Sequence, residues 1–165
     1  MQDAIAHTLQ QHPAFQGLGA DDAQDLAMRS EVVTLTAGNT LFSQGEPAED
    51  LYVVLSGVLR VTCRGPDGVE VVVGEARGGS VVGEMGVIDG QPRSATVTAR
   101  GRVELLRVRG SVFGELVDRV HPAALSLTRA IRRQLVARLR GIDDRVDAVF
   151  ELADTVPPTA AQHLL

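Results

Sequence analysis

The chain has 165 residues, 44% of them hydrophobic and 22% charged, which is typical of a single globular domain with a real core. It lacks a run of about 18 apolar residues that could span a membrane, and its start, MQDAIAHTLQ, lacks the basic and apolar regions of a signal peptide. A single cysteine (Cys63) and a net charge of −5 exclude an internal disulfide and disfavour a phosphate-backbone binder, so we expect a cytoplasmic protein without a membrane partner.

Residues 1–30 are rich in alanine and glutamine at helical spacing. Gly17 and Gly19 are expected to divide them into two short helices. The stretch LGADDAQDLA resembles a helix start, because Asp21 and Asp22 would lie near the positive end of the helix macrodipole.

Residues 31–110 contain short alternating runs such as EVVTL, DLYVVL, VLRVTCR, VEVVVGE and VELLRV, separated by turn signals. Short strands with frequent turns predict an all-β sandwich or barrel. GPDG is expected to be a hairpin turn, because Asp67-Gly68 tolerates positive φ.

Residues 111–154 are expected to be C-terminal helices, and residues 155–165 a tail or linker. SVFGELVDRVHP predicts a short helix that Pro122 closes, and a longer helix follows in which Gly141 could mark a bend. The longer helix repeats apolar residues in a heptad pattern at Ile131, Leu135, Leu139, Ile142, Val146, Val149 and Ala153. Over about 45 Å such a seam favours a homodimer, and the alternative is that it packs on the β core or on another domain. Its many arginines are interpreted as a solvated face.

Catalytic and metal chemistry find little support in the sequence. No histidine lies between residues 13 and 120, so the β region cannot supply the imidazoles of a typical metal site. Cys63 lies in a valine-rich strand without a histidine base and is expected to be a buried, inert thiol. Glu75 and Glu84 could form a hydrolytic pair, but no other feature supports one, and we predict no enzyme activity.

The segment GEMGVIDGQPRSATV, residues 83–97, combines one carboxylate with one guanidinium. A glycine turn before a short helix offers backbone N–H groups to an anion, and Arg93 adds a planar cation suited to phosphate. An acid at position 84 makes sense there only if the same ligand also carries a hydroxyl donor. A phosphate and a sugar hydroxyl together indicate a nucleotide.

This segment resembles the phosphate-binding cassette of the cyclic nucleotide-binding domain family, which includes the catabolite activator protein, protein kinase A regulatory subunits and cyclic nucleotide-gated channels. The family pattern is met by Gly83-Glu84-Met85-Gly86 and by Pro92-Arg93-Ser94-Ala95-Thr96-Val97. A second family pattern lies in residues 37–61, AGNTLFSQGEPAEDLYVVLSGVLRV. The resemblance covers about residues 12–140 and implies a mainly β fold, an eight-stranded jelly-roll barrel with flanking helices.

The resemblance also implies roles for individual residues. Glu84 would accept the ribose 2′-hydroxyl, and Arg93 would pair with the cyclic phosphate beside the N–H groups of Gly83, Glu84 and Ala95. The Ser94 hydroxyl would touch phosphate or base. The apolar walls around sugar and base would be Val61, Val73, Val82 and Met85. The alternative is an internal salt bridge between Glu84 and Arg93 in a ligand-free relative.

The base is harder to assign. Ser94 in place of threonine favours cAMP, with cGMP as the alternative. The lid over the base would come from the long helix near Arg138, Leu139 and Arg140, where Leu139 and Arg140 replace hydroxyl residues of the catabolite activator protein. An arginine or an apolar cap there would be less selective.

The sequence therefore predicts a cAMP-binding regulatory domain that couples ligand binding to movement of its C-terminal helix. One alternative is the ligand-sensing half of a catabolite activator-type transcription factor, whose DNA-binding helix-turn-helix would lie outside these residues. Another is a cGMP-binding module.

Overall fold

The computed structural model describes residues 2–155, with side chains described up to residue 141. Its contacts divide the chain into two units, Met1–Ile131 and Arg132–Leu165. Five α-helices are α1 (Gln2–Gln11), α2 (Ala20–Met28), α3 (Glu84–Asp89), α4 (Gly110–Asp118) and α5 (Pro122–Thr155). Eight strands are β1 (Glu31–Leu35), β2 (Thr40–Phe42), β3 (Asp50–Ser56), β4 (Val58–Arg64), β5 (Glu70–Arg77), β6 (Val81–Val82), β7 (Thr96–Ala99) and β8 (Val103–Arg109).

The strands form two antiparallel sheets of four. The orders are β1-β8-β3-β6 in the first sheet and β2-β7-β4-β5 in the second. The predicted mainly β class with eight strands and flanking helices is confirmed, but the barrel is not closed. Among the described strands, hydrogen bonding stops at β1 and β6 in one sheet and at β2 and β5 in the other.

Strands β3 and β8 of the first sheet are buried on both faces, because each alternates two sets of apolar side chains. In β3, Leu51 and Val53 pack in one cluster with residues of the helices, whereas Tyr52 and Val54 pack with residues of the second sheet. Strand β8 repeats the division, with Leu106 and Val108 in the helical cluster and Val103 and Leu105 in the other. Period-two alternation thus fills two cores from one sheet.

The predicted hairpin joins β4 and β5. Gly65 N–H donates to the Val69 carbonyl at 2.9 Å, Val69 N–H donates to Asp67 Oδ1 at 3.1 Å, and Gly68 has a φ of 78°. Only the glycine of the Asp-Gly pair uses the left-handed region. Beyond the turn, β5 is an edge strand with seven of its eight residues exposed.

The N-terminal helices divide earlier than predicted. Helix α1 already ends at Gln11, and a 3-10 turn follows at Pro13–Phe15, with His12 Nδ1 accepting from Ala14 N–H at 3.4 Å. Pro13 has no N–H to continue the helix, so the helix ends before either glycine is reached. Gly17 does adopt a positive φ, 85°, in the connection to α2.

Helix α4 ends before Pro122, as the sequence predicts, and α5 begins at that proline. Proline suits the first helical position because the N–H it lacks would be unpaired there. With 34 residues, α5 is about 50 Å long and continues through Gly141 without interruption. None of the helices within residues 2–155 combines the length and apolar character needed to cross a membrane.

Candidate functional site

The site begins at the turn between β6 and α3. Gly83 adopts a left-handed φ of 77° directly before α3, and Gly90 closes the helix with a φ of 71°. Both angles favour glycine, since a Cβ is disfavoured there. Between them Gly86 packs closely against Ala48 and the Gln91 carbonyl, where a Cβ would collide with both. Helix α3 therefore has a left-handed glycine at each end and is closely packed along one side.

Backbone hydrogen bonds place Arg93 beside this turn. Arg93 N–H donates to the Glu46 carbonyl at 2.8 Å, and Gly45 N–H donates to the Arg93 carbonyl at 2.9 Å. This pair of bonds ties the segment before β7 to the loop between β2 and β3. The second family pattern of the sequence, which includes Gly45, thus supports the first one directly.

The Arg93 side chain is almost fully buried, with 6% of its surface exposed. Its Nη1 donates to the Gly83 carbonyl at 2.8 Å, and its Cζ lies 4.2 Å from the centroid of the Phe42 ring. Its Nε is buried with no hydrogen-bond partner among the described residues. The ring stabilises the cation electrostatically, but one N–H donor of the guanidinium is unused.

Burial affects the pKa of Arg93 in this site. Desolvation lowers the pKa of Arg93 from its ordinary value, and the nearby Tyr52, Asp50, Glu46 and Glu84 oppose that shift by Coulomb attraction. Glu84 is itself buried, with 2% exposed, at the first position of α3. A buried cation and a buried acid thus lie at one turn, the pair that the sequence singled out.

An ion pair at the start of β3 supports the same turn. Arg107 on β8 donates to Asp50 Oδ2 from Nε at 2.8 Å and approaches it from Nη2 at 2.7 Å. Asp50 is buried, and its carbonyl would lie 3.2 Å from a Cβ on Gly83. Sequence reasoning missed this pair and Phe42, because both contacts join residues more than 50 positions apart.

The predicted apolar wall differs in exposure along its length. Val82 is buried and Val61 is half-buried, whereas Val73 and Met85 are 48% and 43% exposed. The exposed pair is consistent with a wall that a ligand or another segment covers, rather than with core positions.

Ser94 contacts Met85 of the predicted wall and Cys63 of β4. Its hydroxyl donates to Met85 Sδ at 3.7 Å, and the Cys63 thiol donates to the Ser94 carbonyl at 3.4 Å. Cys63 is only half-buried, so the prediction of a buried thiol is wrong. Its strand, β4, pairs with the exposed β5, which gives one side of the cysteine little cover.

Arg138 and Leu139, the predicted lid residues, belong to the second unit, in which Leu139 is 62% exposed. Their contact with the base stays a prediction. The seam residues Ile142, Val146, Val149 and Ala153 lie outside the described side chains, so the dimer seam also stays a prediction. Across residues 2–141, histidine, cysteine, aspartate and glutamate side chains form no group of three that could hold a metal ion.

Comparison with known proteins agrees with this geometry. The family model for the cyclic nucleotide-binding domain matches residues 32–120, which include Phe42, Glu84 and Arg93. The chain belongs to the cyclic nucleotide-binding domain family. Its first sheet, its cassette (Gly83–Val97) and α4 all lie within or next to the matched range.

Two solved cyclic nucleotide-binding folds resemble the domain. The catabolite activator protein of Thermus thermophilus has a TM-score of 0.68 and 26% identity, over 83% of this chain and 62% of that one. A cyclic nucleotide-binding domain from Methylobacillus flagellatus has a TM-score of 0.71 over 96% of this chain and 86% of that one, and its 20% identity supports the fold alone.

Among curated relatives, the CRP-like cAMP-activated global transcriptional regulator of Mycobacterium tuberculosis is 28% identical over 153 residues, 92% of this chain. The present chain spans 65% of that regulator's length. The family assignment confirms the resemblance inferred from the sequence motifs.

Proposed function

We propose that this domain binds cAMP and acts as a regulatory sensor. The observation that carries the proposal is Arg93, a buried cation whose Nε has no hydrogen-bond partner among the described residues. Burying a charge is costly unless an opposite charge meets it. A cyclic phosphodiester would supply one negative charge and acceptor oxygens for the unused donor.

The other residues take roles around that contact. Glu84 would accept the ribose 2′-hydroxyl, and the N–H groups of Gly83, Glu84 and Ala95 would assist Arg93 at the phosphate. Ser94 would touch phosphate or base. The wall around sugar and base would be formed by Val61, Val73, Val82 and Met85, and Gly86 would keep α3 close to the β3 loop. The half-exposed Val73 and Met85 are available for such a cover.

The choice of cAMP over cGMP rests on Ser94 and on the relatives. Serine replaces the threonine that favours guanine in many members of the family. The Mycobacterium tuberculosis relative is described as cAMP-activated. Arg138 and Leu139 of α5 would form the lid over the base, with Arg140 next to them.

The response to the ligand would pass through α5. We propose that the domain has no catalytic activity, functions in the cytoplasm and forms a homodimer through the α5 seam. The alternative assignment is the ligand-sensing half of a transcription factor, whose DNA contacts would lie outside these 165 residues. This alternative is supported by the comparison with the mycobacterial regulator, because this chain matches 65% of the regulator's length.

Isothermal titration with cAMP, cGMP and 5′-AMP tests the proposal. We expect cAMP to bind more tightly than cGMP, and 5′-AMP to bind weakly. Arg93→Ala should cost about 2–5 kcal/mol of binding free energy, since it removes one partner of a buried charge pair. Arg60→Ala on the exposed part of β4 is the matched control and should leave affinity unchanged. Wild-type affinity in Arg93→Ala, with the fold intact by circular dichroism, would refute the assignment.

A further inference from the structure

The joint between α4 and α5 carries backbone strain. Val120 adopts a φ of 54° and is the only non-glycine residue with positive φ in the described chain. The joint closes as His121 N–H donates to the Leu116 carbonyl at 2.8 Å and Val120 N–H to the Val117 carbonyl at 2.9 Å. Glycine is the usual residue at such a helix end, because a β-branched side chain is disfavoured there. Contacts of the neighbouring residues must therefore hold this conformation.

His121 supplies contacts to two helices at once. Its Nδ1 accepts from Ala123 N–H at 3.1 Å, which caps the first turn of α5. Its Nε2 lies 3.5 Å from Asp22 Oδ1 and 3.5 Å from Asp25 Oδ2, both on α2. Since Nδ1 accepts, the neutral ring carries its hydrogen on Nε2, towards the two carboxylates.

The charged groups around His121 come from both packed helices. Asp25 pairs with Arg29 Nε at 3.0 Å, and Arg29 Nη1 reaches Glu115 Oε2 on α4 at 3.2 Å. Asp118 and Arg119 line a surface groove together with Arg29 and Glu115. The ring thus faces two carboxylates directly, and one of them is shared with an arginine.

We propose that His121 is a proton-operated latch at the α4–α5 joint. A proton taken from solvent binds Nδ1, so the ring can no longer accept from Ala123 N–H, and the first turn of α5 loses its side-chain cap. The resulting imidazolium is attracted to Asp22 and Asp25 on α2. Proton uptake therefore removes the contact of His121 with α5 and strengthens its contacts with α2. The strained joint loses one of the interactions that stabilise it.

The consequence for ligand binding rests on the proposed function, in which α5 closes over the base. A first turn without its cap must be ordered again on closure, so acid should weaken cAMP binding. We expect the dissociation constant to rise about two- to thirtyfold between pH 7.5 and 5.5, the factor that corresponds to one helix cap.

Nuclear magnetic resonance of the full chain tests the latch without any nucleotide. As the pH falls from 7.5 to 5.5, the Ala123 amide proton should move upfield with the same midpoint as the His121 ring signals. In His121→Asn the side-chain oxygen caps Ala123 but does not titrate, so the Ala123 signal should stay constant. An Ala123 amide that does not follow the ring in wild type, or that moves equally in His121→Asn, overturns the proposal.

The binding arm compares cAMP titrations at both pH values. Wild type should show the rise in dissociation constant, and His121→Asn should not. His121→Ser, which also caps without titrating, replaces it if the asparagine variant does not fold. An equal rise in wild type and variant contradicts the link to α5. Absence of cAMP binding at either pH refutes the proposed function instead, while the Ala123 titration still decides on the latch.

Discussion

The Gly83 carbonyl accepts a 2.8 Å hydrogen bond from Arg93 Nη1, and this contact joins the turn before α3 to the segment before β7. A side chain at position 83 would disturb this bond, because a Cβ there would collide with Nη1. The position of the guanidinium thus depends on a glycine ten residues earlier in the chain as well as on the backbone bonds of Arg93 to Gly45 and Glu46. The Nε of the same guanidinium is buried and has no hydrogen-bond partner among the described residues.

Gly83→Ala should therefore lose ligand affinity as well as stability. The left-handed φ costs about 1–2 kcal/mol for a residue with a Cβ, and the collision displaces Arg93. Gly90→Ala is the matched control, since Gly90 has a φ of 71° but nothing within 4 Å of its Cβ position. Both variants should unfold at lower urea concentration, and only Gly83→Ala should bind cAMP more than tenfold more weakly. Equal affinities in the two variants would contradict the role of the Gly83–Arg93 contact.

Gly86→Ala should push α3 away from the loop before β3. The added methyl meets Ala48 and the Gln91 carbonyl, and overpacking of this kind costs about 1–3 kcal/mol. Gly114→Ala in α4 adds the same methyl where nothing lies within 4 Å, and it should stabilise by about 0.5–1 kcal/mol. Urea denaturation of both variants measures the difference. A Gly86→Ala variant as stable as wild type would show that α3 is not closely packed.

Arg107→Ala should destabilise the domain, because it leaves the Asp50 carboxylate buried without its main partner. We expect a loss of about 2 kcal/mol in the free energy of unfolding, a value for hydrogen bonds to charged groups. Arg102→Ala removes an arginine that is 73% exposed and pairs with Glu104, and it should cost less than about 0.5 kcal/mol. Indistinguishable denaturation curves for the two variants would refute the support role of the Arg107–Asp50 pair.

His12 should make the fold sensitive to acid. Burial lowers the pKa of His12 from its ordinary value of 6.5, although the backbone of Val54 and Leu55 partly offsets this. The unfolded chain then binds a proton more readily than the folded one, so the stability from neutral His12 is present above pH 6.5 and lost as the pH falls towards the folded pKa. His12→Asn keeps a side-chain cap for Ala14 without titrating.

Thermal melts at pH 7.5 and 5.5 check this expectation. On acidification, the melting temperature of wild type should fall further than the melting temperature of His12→Asn. The comparison uses the change with pH within each protein, so a constant cost of the asparagine does not affect it. If both proteins lose the same amount, another group controls the acid response.

The strands and the cassette could be predicted because their signals are local. Alternation along β3 and β8 predicts two apolar faces, and the glycines at 83 and 86 lie where the backbone needs them. The family model then confirms the resemblance that these motifs indicate. What could not be predicted depends on distant residues. The contacts of Phe42 with Arg93 and of Arg107 with Asp50 carry no sequence signal, because each forms only when strands distant in the chain become neighbours in a sheet.

The solvent exposure of side chains on β4 and β5 could not be predicted from the sequence either. The run VEVVV predicts a strand but does not show that it lies at a sheet edge, where Val71, Val72 and Val73 are about half exposed. Cys63 on the neighbouring strand is half-buried for the same reason. The sheet order, which a single sequence does not specify, decides these cases.

The most direct test of the central proposal is the side-chain Nε–H signal of Arg93 during a cAMP titration. Proton–nitrogen spectra would follow this signal, assigned by its loss in Arg93→Lys. We predict that one equivalent of cAMP shifts the Arg93 Nε–H resonance downfield, because the donor gains a phosphate acceptor, while the Arg60 signal stays in place. An Arg93 signal that does not move at saturating cAMP would contradict the account.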